Sequence, residues 1–203
     1  MRKIGIMGGT FNPIHIAHLI LAESAYEQLN LDMILFMPSK NPPHKIHAHI
    51  VSDEHRIRMI QLAIKDNSHF ELSKVELDRE GLTYTAETLE FLTEKYPENE
   101  YYFIIGADSL LQIEQWKDPE IIFKLSQIVA VGRNHLPEQE IVKQINHLIK
   151  KYDSIIHFLN IPNMDVSSKI LRNNRKQGKS IRYYVPDTVA NYIHEQQLYK
   201  EDE

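Results

Sequence analysis

Lys3-Ile4-Gly5-Ile6-Met7-Gly8-Gly9-Thr10-Phe11-Asn12-Pro13-Ile14-His15-Ile16-Ala17-His18 decides the fold. Lys3–Met7 is a short apolar run of strand character, Gly8-Gly9 ends it, and the stretch from His18 to Leu29 has a helical pattern. A strand that passes through two glycines into a helix is the opening of a βαβ unit, and in sheets built from such units ligands bind beyond the carboxyl ends of the strands. The glycines let backbone come close to an anion, and the helix N-terminus adds partial positive charge. His15 and His18 lie three apart, so on one helical turn they point the same way and can both donate to phosphate oxygens. The competing reading is a Gly-rich turn with two surface histidines.

Outward from this unit, β-branched or aromatic runs alternate with helical patterns. Met33–Met37 predicts a second strand, and Pro38 with Pro42-Pro43 enforces a loop. A helix is expected from Asp53 to Lys65 with Ser52 as its cap, then strand material at Phe70–Leu72 and Val75–Leu77. Ala86–Tyr96 predicts a helix, Tyr101–Ile105 a buried strand, and Gly106-Ala107-Asp108 the loop at its end. Ile128–Val131 and Ile155–Leu159 complete the strands, with helices at Glu138–Lys150, Ser168–Asn174 and Asp187–Gln196. The order implies an α/β doubly wound parallel sheet, Rossmann-like, in one domain spanning 1–203, with the helices from about 165 onward packing on the sheet.

Composition narrows the function classes. The 203 residues are 42% hydrophobic and 25% charged, ordinary values for a globular domain. With no cysteine, disulfides, thiolate zinc sites and cysteine nucleophiles are all excluded, and a reducing, cytoplasmic setting is expected. The apolar run after Arg2-Lys3 stops at Gly8-Gly9, too short for a signal-peptide core, and no later stretch is long enough to span a membrane. A formal charge of -5 argues against broad binding to nucleic acid, so an anionic ligand must be held locally. His44, His47 and His49 are candidate zinc nitrogens, but loop histidines without further ligands are read as facing solvent.

Two more junctions carry phosphate chemistry. In Asp165-Val166-Ser167-Ser168-Lys169-Ile170-Leu171-Arg172, a serine caps a helix and Arg172 follows one turn later on the same face as Ser168. The competing reading is a capped helix with a solvated arginine. Six cations lie between Val166 and Pro186 (Lys169, Arg172, Arg175, Lys176, Lys179 and Arg182), and all but Arg172 read as a solvated basic face. Gly178-Lys179-Ser180 imitates the end of a P-loop but lacks its first glycine and a preceding strand. At the third junction, Asp108 can accept from ribose hydroxyls and Trp116 can stack on a flat ring; alternatively Asp108 caps a helix and Trp116 belongs to the core.

Together, the Gly8–His18 run and the Ser167-Ser168…Arg172 run resemble the nucleotidyltransferase superfamily. Pro38-Ser39-Lys40-Asn41-Pro42-Pro43-His44-Lys45, Thr83-Tyr84-Thr85, the Gly106-Ala107-Asp108 turn with Trp116, and Val131-Gly132-Arg133 are similar to bacterial nicotinate-nucleotide adenylyltransferases over nearly the whole chain. The resemblance implies transfer of AMP from ATP to nicotinate mononucleotide, giving deamido-NAD and pyrophosphate, with Mg²⁺ as the metal and no protein metal ligands assigned. It implies ATP contacts at Gly8, Gly9, Thr10, Phe11, His15, His18, Gly106, Asp108, Ser167, Ser168 and Arg172. Mononucleotide contacts fall on Asn41, Lys45, Tyr84, Thr85, Trp116 and Arg133. His15, His18, Lys45 and Arg172 would carry the catalysis. The chain departs from the common pattern with Asn12 for Asp, Ala17 for Gly and Lys169 for Thr, which loosens the assignments at Ser168 and Lys169.

A mononucleotide phosphate is largely dianionic near neutral pH, its second pKa being about 6, so it can attack the α-phosphorus without a protein base. The barrier is anion against anion, which cations and backbone donors lower. No covalent enzyme intermediate is expected. The alternatives are a related transferase acting on nicotinamide mononucleotide, phosphopantetheine, flavin mononucleotide or sugar and choline phosphates, or a nucleotide-binding module without turnover. Small molecules are the expected partners, together with a possible homo-oligomer, but neither nucleic acid nor membrane.

Overall fold

The computed structural model describes residues 1–40, 50–132, 137–159, 161 and 164–200. Asn41, Lys45 and Arg133, and with them His44, His47 and His49, lie outside the described residues.

Six strands form one sheet: β1 (Arg2–Gly9), β2 (Met33–Pro38), β3 (Phe70–Leu72), β4 (Asn99–Gly106), β5 (Gln127–Val131) and β6 (Ile156–Leu159). Every pairing is parallel and the order is β3-β2-β1-β4-β5-β6, the doubly wound order expected from the sequence. Order reverses between β1 and β4, the place where doubly wound sheets bind ligands beyond the carboxyl ends of their strands. Both faces of the sheet are buried, as parallel sheets require. Met7, Ile34, Phe36, Tyr102, Ile104 and Val129 meet α1 (Ile16–Leu29), α2 (Asp53–Ile64), α7 (Ser168–Lys176) and α8 (Asp187–Glu195) on one side. Ile4, Ile6, Phe103, Ile105 and Ile128 meet α3 (Thr85–Lys95), α4 (Ala107–Gln112), α5 (Pro119–Leu125) and α6 (Glu138–Tyr152) on the other.

Apart from Val75–Leu77, the expected helices and strands are present, with ends shifted by a few residues, and Ala107-Asp108, expected in a loop, open α4 directly after β4. Ser52 caps α2, accepting from the His55 amide at 3.5 Å. Ser167 caps α7, accepting from the Ile170 amide at 3.3 Å. Val75–Leu77 is a turn rather than a strand, closed by the Asp78 amide on the Lys74 carbonyl at 3.0 Å. Its apolar residues face the core from a coiled segment: Leu77 is buried and Val75 packs against the cluster under α3. Beyond β4 the chain forms α4, a 3-10 turn at Ile113–Gln115 and α5, all shorter than a sequence period can reveal. Gly178 has φ +70 just after α7, so Gly178-Lys179-Ser180 follows a helix end, the setting expected of a spurious P-loop match.

Candidate active site

Parallel register places the strand ends together: Gly8 pairs with Met37, Gly9 with Pro38, and Gly106 with Val131. The loops after β1, β2 and β4 therefore share one edge of the sheet. Gly8 is exposed there, and a Cβ on it would meet only Phe103, at 3.7 Å. Gly9 differs, because a Cβ would approach the Phe11 ring to 3.2 Å. Gly8 thus leaves room on the solvent side, whereas Gly9 makes room for a buried aromatic.

Phe11 is 2% exposed and sits at φ +48, a conformation that costs a bulky residue roughly 1–3 kcal/mol. Its ring offsets that cost by packing on Phe36 at 5.9 Å and edge-on to His18 at 5.0 Å. His15, buried, is the N-cap of α1 and stacks on His18 at 3.6 Å. The His15 amide donates to His18 Nδ1 at 3.1 Å. An accepting Nδ1 carries no proton, so in the neutral ring the proton resides on Nε2, the tautomer able to donate to an anion.

Carbonyl groups of this loop are held by donors from other parts of the chain. Gly9 accepts from the Ser39 amide at 2.9 Å, and Thr10 from Arg56 Nη1 at 2.9 Å. Asn12 accepts from Arg172 Nη1 at 2.7 Å, and Pro13 from the Ser168 hydroxyl at 2.9 Å. A planar trans peptide points C=O and N–H in opposite directions, so pinning the Gly9, Thr10 and Pro13 carbonyls aims the amides of Thr10, Phe11 and Ile14 away from these donors. The Asn12 side chain accepts from the Tyr199 hydroxyl at 2.7 Å and the Val51 amide at 3.4 Å. Burial pushes the Tyr199 phenol well above its ordinary pKa, against the opposing charges of Arg172 and Arg56, so it stays a hydrogen donor. The two phosphate motifs read in the sequence are thus joined by direct hydrogen bonds across 155 and 160 positions.

On the β4 side, Asp108 is exposed in the first turn of α4, whose N-cap is Gly106. Trp116 is half-buried and packs on the core, as one of its two readings has it, with its ring edge-on to Phe103 at 6.2 Å. Phe103 is also the neighbour of Gly8, which links the two sides of the cleft. Tyr84 and Thr85 stand at the start of α3, Tyr84 as N-cap and Thr85 as the first helical residue. Lys117 Nζ lies 4.5 Å over the Tyr84 ring and 2.6 Å from Glu87. Glu87 also takes Arg79 at 2.5 Å, and its carboxyl is held below the ordinary range, chiefly by the Lys117 hydrogen bond. Lys40 joins this group by donating to the Arg79 carbonyl at 2.8 Å. Of the six cations after Val166, Lys169, Lys176, Lys179 and Arg182 are exposed, while Arg172 and Arg175 are partly covered.

Three residues of the site went unread in the sequence. Arg56 had a usable signal, because it lies three and four positions before Met59 and Ile60 and so shares the buried face of α2. Lys117 and Tyr199 had none, since neither has a local pattern.

A model of the cytidylyltransferase-like family matches residues 6–174. The chain is 52% identical over 193 residues to a nicotinate-nucleotide adenylyltransferase of Lachnoclostridium phytofermentans, covering 95% of this chain and 96% of the relative. It is 41% identical to one of Clostridium botulinum, covering 100% of both. The fold is similar to that of Plasmodium falciparum nicotinic acid mononucleotide adenylyltransferase complexed with NaAD, with a TM-score of 0.82 at 21% identity over 100% of this chain and 99% of that one.

Proposed function

Since the chain belongs to the nicotinate-nucleotide adenylyltransferases, within the cytidylyltransferase-like family, we propose that the cleft between β1 and β4 transfers AMP from ATP to nicotinate mononucleotide. The product is deamido-NAD, an NAD precursor, and the leaving group is pyrophosphate. One observation carries the reading: Ser168 and Arg172 of the second motif bond to the Pro13 and Asn12 carbonyls of the first, so both motifs face one polyphosphate.

The acceptor phosphate oxygen attacks the α-phosphorus, a new P–O bond forms, and the bond to the β-phosphate breaks with its electron pair leaving on pyrophosphate. No base on the protein is needed, because the attacking phosphate already carries its charge. Gly8, Gly9, Thr10 and Phe11 present backbone to the triphosphate, and His15, His18 and Arg172 offset the charge that builds on the departing group. Ser167 and Ser168 stand at the N-terminus of α7, where the partial positive charge favours an anion. Gly106 and Asp108 take the ribose. The acceptor falls to Tyr84, Thr85 and Trp116, with Asn41, Lys45 and Arg133 toward its phosphate. The start of α3 at Thr85 suits the pyridine carboxylate for the same dipolar reason.

Among the described residues no three acidic or histidine side chains form a metal cage. Mg²⁺ would arrive on ATP, since it is commonly held by substrate phosphates and water with few protein carboxylates. When bound, Mg²⁺ supplies charge neutralisation of the triphosphate. Among the described residues no helix is long and apolar enough to cross a membrane.

The test is incubation with Mg²⁺ and ATP or CTP, offering nicotinate mononucleotide, nicotinamide mononucleotide, phosphopantetheine and flavin mononucleotide in turn, with products identified by mass. Deamido-NAD plus pyrophosphate, from ATP only and at higher kcat/KM with nicotinate than with nicotinamide mononucleotide, is the expected outcome. Another product would move the chain to a different acceptor, equal efficiency on both pyridine mononucleotides would end the carboxylate argument at Thr85, and nucleotide binding without pyrophosphate release would make it a binding module. A trapped nucleotidyl-enzyme would refute direct attack.

A further inference from the structure

Arg56 is 0% exposed, yet it bonds to the main chain of the loops after β1 and β2. Its Nη1 donates to the Thr10 carbonyl at 2.9 Å and to the Ser39 carbonyl at 2.8 Å, and its Nη2 reaches Asp53 Oδ1 at 2.5 Å. The Ser39 amide meanwhile donates to the Gly9 carbonyl at 2.9 Å. One guanidinium nitrogen therefore fastens the loop after β1 to the loop after β2. These loops serve different halves of the reaction: the first contains Thr10 and Phe11, and the second runs from Ser39 straight into the Asn41–Lys45 stretch.

Burying a guanidinium is costly unless its donors are paired, and here Nη1 and Nη2 are used on two main-chain carbonyls and a carboxylate while Nε, also buried, has no hydrogen-bond partner. Carbonyls at both loop ends could have been satisfied separately by water or by neutral donors. A rigid, planar group that takes both at once fixes their separation.

We propose that Arg56 is a positioning residue for the transfer, setting the distance between the loop that grips the donor triphosphate and the loop that leads to the acceptor phosphate. The inference rests on the reaction proposed above. It assigns Arg56 no contact with substrate. Because in-line attack depends on alignment, a displacement of about 1 Å between the two loops costs on the order of a hundredfold in rate. Affinity for either substrate alone depends on one loop at a time and should change far less.

Arg56→Lys keeps the charge but cannot span both carbonyls and Asp53. Asp53→Asn, at a 40% exposed side chain, weakens only the Nη2 anchor and leaves no hole. Both variants are to be compared with the wild type for kcat at saturating substrates, separate dissociation constants for ATP and for nicotinate mononucleotide, thermal midpoint, and amide hydrogen exchange over residues 8–18 and 39–40. For Arg56→Lys the expected result is a kcat lowered tenfold or more, each dissociation constant within about threefold of wild type, and faster exchange in both loops. Asp53→Asn should show the same split at about threefold in kcat. Full kcat in a folded Arg56→Lys, or a loss confined to the affinity for one substrate, overturns the proposal. If Arg56→Lys does not fold, unchanged kcat and exchange in Asp53→Asn overturn it equally. Failure of the reaction reading is separately visible, as a wild type that makes no dinucleotide, and the exchange data test the link between the loops even then.

Discussion

At the scale of single residues, the site is a matter of which way hydrogen-bonding groups point. His18 illustrates it, because one ring nitrogen accepts from the His15 amide, which leaves the proton of the neutral ring on the other. The same ring braces Phe11, whose backbone is held at positive φ. His18→Ala removes a donor to the transition state and part of the α1 cap together. Turnover should fall about a hundredfold, through loss of charge stabilisation. The thermal midpoint should fall by only a few degrees, as for loss of a cap worth about 1 kcal/mol. Steady-state kinetics beside a melting curve separate the two effects, and a turnover near that of wild type would remove His18 from the catalytic set. Glycine pairing in the sequence indicated close backbone approach, but it could not tell which glycine faces solvent and which makes room for an aromatic ring. Only the Phe11 ring beneath Gly9 distinguishes that glycine from Gly8.

At the scale of elements, the strands and long helices were legible because each has a period matching its burial. Ile4 and Ile6 face one side of the sheet and Met7 the other, while α2 buries Arg56, Met59, Ile60 and Ile64 along one stripe. The segment from Ala107 to Leu125 was not legible, since its pieces are six, three and seven residues long and are held by side-chain contacts from elsewhere. Glu114 is the main one. From the 3-10 turn it takes Lys151 at 2.7 Å and His147 at 3.2 Å, both on α6. The Lys151 hydrogen bond, assisted by His147 and Gln144 against partial burial, lowers its pKa from 4.5 to about 2. A carboxylate with a depressed folded pKa stabilises above its unfolded value and loses that contribution as pH falls, here between 4.5 and about 2. Glu114→Gln should therefore flatten the dependence of the thermal midpoint on pH across that window and lower the midpoint modestly at pH 7, because the pair is solvent-screened. Melting curves from pH 7 to 2 would show this, and parallel curves for the two proteins would contradict it. Trp116 lies two residues beyond, so the change should also raise KM for the pyridine mononucleotide more than for ATP.

At the scale of the whole molecule, the topology was readable from the alternation of strands and helices, and the Gly8–His18 and Ser167–Arg172 runs were readable as phosphate motifs. That they meet was implied by the resemblance alone, and the way they meet was not legible. It depends on the Arg172 and Ser168 bonds across the cleft floor and on Tyr199, whose hydroxyl reaches Asn12 from 187 positions away. No pattern within a few residues encodes a contact of that range. Tyr199→Phe deletes that hydrogen bond while keeping the ring. It should cost about 1 kcal/mol, lowering the thermal midpoint by roughly 2–4 °C. It should also raise KM for ATP several-fold, because Asn12 belongs to the phosphate loop. Calorimetry and ATP titration would check both, and an unchanged KM would mean that the C-terminal contact supports the fold alone.

The same long-range bonds impose an order of events on biosynthesis. At roughly 5–20 residues per second, the loop after β1 leaves the ribosome well before Ser168, Arg172 and Tyr199, its partners 155, 160 and 187 positions away. Until those residues follow, the loop lacks the donors that hold its Asn12 and Pro13 carbonyls and the Asn12 side chain. The loop therefore takes its held geometry only once α7 and Tyr199 have been made, long after the strand that carries it.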